Sequence, residues 1–389
     1  MMKKYVWSFA LSALVLAACG KKEEPPAPVA VPAPVVSAPA PVAVNTEEKV
    51  LNIYNWPDYI PEDMTAEFEK ETGIKVNYDT FETNEALHAK LVAGNTGYDI
   101  VVPGSVFAKP QIEGGMFQPL DKAQIKNLAN LDAPIMATLA KFTDPDNNYL
   151  VPWAWGFTTV GINKTKVAKA LGQMAMPENA WDLVFKPEYT SKLKSCGIAY
   201  LDSPTEIIPV ALHYIGKDAY SNEPADYKAA TDMLAKVRKD VRIFSSTMID
   251  DIAGGKACVA IGWSGDINIA AARAVENKSK DEIEALLPST GALIFFDTMA
   301  ITKDAKHPNN AAAFIDFYLR AENAAKMSNE MNYPTANKAA MDQIKPEIAG
   351  NKTIFVEGDY FAKIIAPSSF TNEAREAMAT AYNSFKKGK

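Results

Sequence analysis

The chain has 389 residues, a formal net charge of −7, 48% hydrophobic residues and 22% charged ones. That length allows two lobes with sizeable cores, and the composition is that of an ordinary soluble globular protein, with no room for a bundle of membrane spans. An acidic balance also argues against a nucleic-acid partner.

The first residues read as an export signal. Lys3 and Lys4 form a basic start, 5–16 an apolar core, and LAAC at 16–19 ends it with small residues. The apolar core is too short to span a bilayer. Its end resembles the lipobox of bacterial lipoproteins, which implies a signal peptide of residues 1–18 and a lipid on Cys19. The alternative is an ordinary cleavage site that happens to contain Cys. Residues 19–46 follow as a tether, rich in Pro, Ala and Val and without charge between Glu24 and Glu47. Such a stretch packs no core and is semi-extended. Loss of 1–18, with its two lysines, would take the net charge from −7 to −9.

Strand and helix patterns then alternate. LNIY at 51–54 reads as a strand, and 62–72 as a helix with Pro61 at its start, Met64 and Phe68 one turn apart and Gly73 as its stop. IKVNYDTF is a second strand. Thr83 can cap a helix over 84–93 that ends at Gly94. YDIVVPG is a buried strand running into a turn. Later strands are predicted at 160–163, 196–201, 258–263 and 292–296, and helices at 227–239, 267–277 and 311–321. The alternation implies an α/β fold with a largely parallel sheet, arranged as two lobes with a cleft between them.

With Cys19 set aside, Cys196 in KSCGIAY and Cys258 in KACVAIGW remain. Export places them in an oxidising compartment, where they would form a disulfide; two buried free thiols are the alternative.

Three segments join aromatics to a carboxylate: Trp56-Pro57-Asp58-Tyr59, Trp263-Ser264-Gly265-Asp266 and Phe295-Phe296-Asp297. Each lies at or just after the carboxyl end of a predicted strand, the rim where open α/β sheets bind ligands. VPGS, with Gly104 and Ser105, and LDSPTE, with Glu206, share that rim. Ring faces and carboxylates together suit an organic cation: a ring attracts an ammonium by about 0.5–2 kcal/mol. A charge-assisted hydrogen bond to carboxylate adds about 1.5–3 kcal/mol. Only five arginines occur, at 238, 242, 273, 320 and 375, and none neighbours these motifs closely in sequence. That speaks against a carboxylate or phosphate ligand. Taken singly, Trp263, Phe295, Asp266 and Asp297 could equally be core, cap or turn residues.

Enzyme signals are weak. GWSGD nearly matches the GxSxG elbow, but Asp266 replaces its last Gly, and such an elbow needs a general-base His. His88, His213 and His307 read as structural or solvated, and their spacing fits no metal cluster. DPDNN at 144–148 lacks the spaced ligands of a calcium loop and reads as a turn. No cofactor or metal is expected.

From about Val50 onward, IYNWPDYI, FEKETGIKV, YDIVVPGS, FQPLDK, KLKSCG, CVAIGWSGD, FFD and YPTANKAA resemble the periplasmic polyamine-binding proteins of bacterial ABC importers, the putrescine type in particular. The resemblance implies a type II periplasmic binding fold. The first lobe would comprise 47–154 plus about 276–321, the second 155–275 plus about 322–389. It further implies a putrescine or spermidine ligand handed to ABC permease subunits, no catalysis, and a Cys196–Cys258 disulfide. Carried over by position, Trp56, Asp58 and Tyr59 would lie on one side of the amine. Trp263, Asp266, Phe295, Asp297 and Tyr333 would line the rest, with Glu206 and Ser246 at one end. Asp266 and Asp297 would hold one ammonium, while Asp58 and Glu206 act near the other. The putrescine binder has Ser in place of Pro57 and of Gly104, which affects both affinity and the choice between diamine and longer polyamines. A polyamine sensor without transport, or a secreted hydrolase using Ser264, are the competing functions.

Overall fold

In the computed structural model, residues 46–356 and 358–388 are described, so the predicted signal peptide, Cys19 and nearly all of the tether lie outside them. The strands, in chain order, are β1 (Val50–Asn55), β2 (Lys75–Thr80), β3 (Ile100–Val101), β4 (Val151–Asn163), β5 (Ile198–Leu201), β6 (Ile243–Ser245), β7 (Val259–Trp263), β8 (Ile283–Ala285) and β9 (Leu293–Ile301). They hydrogen-bond in the order β2-β1-β3-β9-β4-β7-β5-β6, with β8 on the side of β4. β1 is parallel to β2 and β3, and β5 is parallel to β6 and β7. The two parallel groups are joined by antiparallel pairs between β3 and β9, β9 and β4, and β4 and β7. The sheet is therefore less parallel than its alternating pattern suggests, because two long strands run back and forth between the halves.

Those strands explain the two-lobed layout. All 13 residues of β4 are buried, and it pairs with β9 from Val151 opposite Met299 to Thr158 opposite Leu293. A strand buried on both faces has no polar alternation. The register slips between Pro152 and Ala154, a bulge that accommodates a residue with no backbone N–H. Far along β4, Gly161–Asn163 carry β8, which also packs on the helix Ser264–Glu276. Residues 283–285 thus pair with the same stretch of β4 that carries β7. Conversely, Lys326 on the helix Ala321–Met331 pairs with Asp63 at 2.5 Å and Glu67 at 3.0 Å, and Asn337 bridges to Leu131. Lys326 and Asn337 therefore contact segments near the start of the sheet.

Local signals behave as their chemistry requires. The helix Met64–Thr72 buries Met64 and Phe68, and Gly73 ends it at φ 70°. Thr83 caps Asn84–Ala93 by accepting from the Ala86 N–H. The C-terminal helix Asn372–Lys386 packs on Pro204–Tyr214 and Pro224–Ala235, closing the second half. Cys196 and Cys258 are disulfide-bonded, tying the approaches to the neighbouring strands β5 and β7.

Candidate functional site

The carboxyl ends of β1, β3, β5, β6 and β7 all open onto one cavity of about 170 Å³, room for a small organic molecule and not for a polymer. Trp56 to Tyr59 follow β1, Gly104 and Ser105 follow β3, Glu206 follows β5, Ser246 follows β6, and Trp263 with Asp266 continue from β7. All twelve residues expected at the ligand line this cavity. Three do not come from a strand end: Tyr333 follows the helix Ala321–Met331, and the other two lie inside a strand. Phe295 and Asp297 lie within β9, which continues to Ile301. Asp297 is tolerated mid-strand because it forms an isolated bridge with Gly104 and aims its carboxyl at Tyr59.

Three inner carboxyls each accept one hydroxyl. Tyr59 donates to Asp297 at 2.8 Å, Tyr333 to Asp266 at 2.6 Å, and Thr158 of β4 to Glu206 at 2.6 Å. The Trp263 indole N–H is also directed at Glu206. Burial is the largest influence on all three. It pushes Glu206 and Asp266 up to about 7 and Asp297 up to about 8, against the smaller downward pull of those hydroxyls. Glu206 and Asp266 add to the upward push on Asp297 by like-charge repulsion. Burial and the neighbouring carboxylates raise Tyr59 and Tyr333 well above an ordinary phenol, so both hydroxyls stay protonated donors. Among the described residues lining the cavity there is no Lys, Arg or His.

The rings form walls at different angles. Trp56 meets Trp263 edge-on with centroids 5.8 Å apart, and its Nε1 donates to the Val102 carbonyl at 3.0 Å. Tyr59 and Tyr333 make a second edge contact at 4.7 Å. Two glycines allow this closeness. A Cβ on Gly265 would lie 2.2 Å from the Tyr333 ring, and one on Gly156 would lie 2.8 Å from Phe295. Nothing in the sequence pattern singles out either glycine.

Asp58 differs from the inner three. It adopts φ 52° and is half exposed, with Oδ1 bound by Arg273 Nη2 at 2.8 Å; Arg273 Nη1 holds Asp250 at 3.2 Å. An arginine distant in sequence therefore does neighbour one motif, because Arg273 lies on the helix Ser264–Glu276, two turns beyond Asp266. Other lining residues without an aromatic–acid signature are Glu82, Asn84, Phe107, Thr205 and Asp250. Glu82 and Asn84 could have been found, since they directly follow β2 on the same rim. Asn84 accepts the Gly104 N–H at 2.9 Å and fills the space where a Gly104 side chain would point.

Ser264, at the junction of β7 with the helix Ser264–Glu276, is buried, and its Oγ accepts the Phe157 N–H at 3.3 Å. The DPDNN segment is a turn in which Asp144 accepts the N–H groups of Tyr149 and Leu150. No group of three His, Cys, Asp or Glu side chains among the described residues could hold a metal ion.

Residues 63–355 match the family of bacterial extracellular solute-binding proteins. The chain is 43% identical over 345 residues to the putrescine-binding periplasmic protein PotF of Escherichia coli, covering 88% of this chain and 93% of that one. It is 42% identical to the putrescine-binding periplasmic protein SpuD of Pseudomonas aeruginosa, covering 90% and 95%. Among solved structures it superposes on a putative spermidine/putrescine ABC transporter protein of Listeria monocytogenes with TM-score 0.76 and 29% identity, over 88% of this chain and all of that one.

Proposed function

Because this chain belongs to the bacterial extracellular solute-binding proteins, we propose that it is a receptor for a short aliphatic polyamine, putrescine before spermidine, that delivers its ligand to the permease of an ABC importer. One observation carries the reading: three inner carboxyls and a set of ring faces converge on a cavity lined by no cationic side chain. Carboxyls left in that state need cations from outside, and the rings sheathe methylenes while attracting ammonium heads. Asp266 and Asp297 hold one ammonium between Tyr59 and Tyr333. Glu206 serves the other, and Asp58 acts at the mouth with Arg273. The ligand joins two lobes, 47–154 plus about 276–321 and 155–275 plus about 322–389. Trp56, Gly104, Ser105, Ser246, Trp263 and Phe295 complete the walls. The protein is extracytoplasmic and held to a membrane by lipid on Cys19, with 19–46 as its tether. It carries out no chemistry on the amine.

Calorimetric titration tests this. Putrescine should bind, amino acids and sugars should not, and Asp266→Ala should weaken putrescine binding by about 2–5 kcal/mol, the range for orphaning a buried charged partner. Near-unchanged affinity in that variant, or saturable binding of a sugar, rejects the reading.

A further inference from the structure

The charge count of the cleft has a consequence for loading. Three inner carboxyls face a diamine that carries two charges, and the Arg273 guanidinium at the mouth is already shared between Asp58 and Asp250. Three ionised carboxylates around a dication would leave a buried negative charge without a partner, which is costly. On the polyamine reading above, we propose that the cleft exchanges protons for ligand charge: Glu206, Asp266 and Asp297 share protons when empty, give some to solvent on loading, and give up more to a triamine than to a diamine.

The surroundings of each carboxyl support the exchange. Glu206, on Pro204–Tyr214, faces the Thr158 hydroxyl of β4, the Trp263 indole of β7, and Glu85 from the first half. Tyr220 also lies within reach of its charge. Asp266 faces the Tyr333 hydroxyl, with Asp58 and Arg273 acting on it in opposite senses. Asp297 faces Tyr59 and the other two members of the trio. Except for Arg273, every neighbour is a neutral donor or another acid. Glu85 is no relief: burial raises it too, and its Oε1 is occupied by Thr205 at 2.8 Å.

The three groups titrate as a coupled set, with values of about 7, 7 and 8. Near pH 7 the empty cleft therefore holds about two protons. A bound diamine is neutralised by two carboxylates, leaving one proton in place and releasing about one. A bound triamine calls on all three and releases about two. No covalent bond changes; the protons pass to buffer. Below about pH 6 ligand must displace more protons, so affinity falls; above about pH 8 the displacement is complete and affinity levels off.

Titrating the full-length protein with putrescine and with spermidine at pH 7, in two buffers of unlike ionisation enthalpy, reads the proton count directly. The expected result is a buffer-dependent enthalpy, with about one proton released for putrescine and about one more for spermidine. In Asp297→Asn, and independently in Glu206→Gln, only two of the three acids remain, so putrescine should still release about one proton and spermidine should no longer release more than putrescine. If amines bind with the same heat in both buffers, or if the two amines release equal numbers from wild type, the proton exchange is wrong while the polyamine reading stands. If no amine binds, both fall.

Discussion

At Gly265 the backbone has to lie against the Tyr333 ring for the Tyr333 hydroxyl to reach Asp266. Gly265→Ala forces the ring away and should cost about 1–3 kcal/mol of stability, the usual penalty for overpacking. It should also weaken amine binding, because Asp266 loses its donor. Chemical denaturation and titration of the same variant check both parts. Tyr59→Phe is the gentler experiment: it keeps the ring and removes only the hydroxyl that pulls Asp297 downward. Asp297 should then hold its proton to higher pH, so the variant's affinity curve should move upward in pH relative to wild type. An unmoved curve would show that the hydroxyl does not set the titration. Asp58, Asp266 and Asp297 were legible as sequence because each closely follows an aromatic residue, and Glu206 because it follows a predicted strand. Arg273 and Thr158 were not, since one lies two turns down a helix and the other in a part of β4 that does not read as a strand.

Elements show where sequence patterns inform and where they mislead. Short strands such as VLNI and CVAIGW stand out as largely apolar runs bounded by turn residues. β4 announces only its last four residues, because Pro152 and the closely spaced aromatics look like punctuation when the strand is buried on both faces. Asp297 cuts β9 short in the same way, by placing a charge inside a strand. The joining strands of the fold were therefore its least visible part. Two element-scale tests follow. The disulfide closes a separation of 62 residues within the second half, so replacing both Cys196 and Cys258 by Ser should lower stability by about 4 kcal/mol on the chain-entropy estimate. A denaturant midpoint unchanged by that double substitution contradicts it. Arg375, on the C-terminal helix of the second half, stacks over Phe107 of the first at 5.5 Å. Such a contact is worth about 0.5–1 kcal/mol. Arg375→Ala should therefore lower amine affinity a few-fold through lobe approach alone, with no change in proton count.

For the whole molecule, the raised acids make stability depend on pH in an unusual direction. In the unfolded chain these carboxyls titrate near 4; in the folded, ligand-free protein they titrate at about 7 to 8. Between those limits the native state binds more protons, so the contribution of these groups to stability falls as pH rises. The melting temperature of the empty protein should drop between pH 5 and pH 8, less steeply in Asp297→Asn, and saturating putrescine should flatten the slope. A rise over that interval that Asp297→Asn leaves unaltered counts against the buried-acid picture. Any swing of one half against the other must also be taken up in the paired ribbon of β4 and β9, and Phe295 and Asp297 ride on that ribbon. Two residues proposed to recognise the amine are thus mounted on the ribbon that joins the halves. On that reading, altering either residue would bear on the set of the two halves as well as on the grip, and cargo pressing on Asp297 would bear on the strand that joins them.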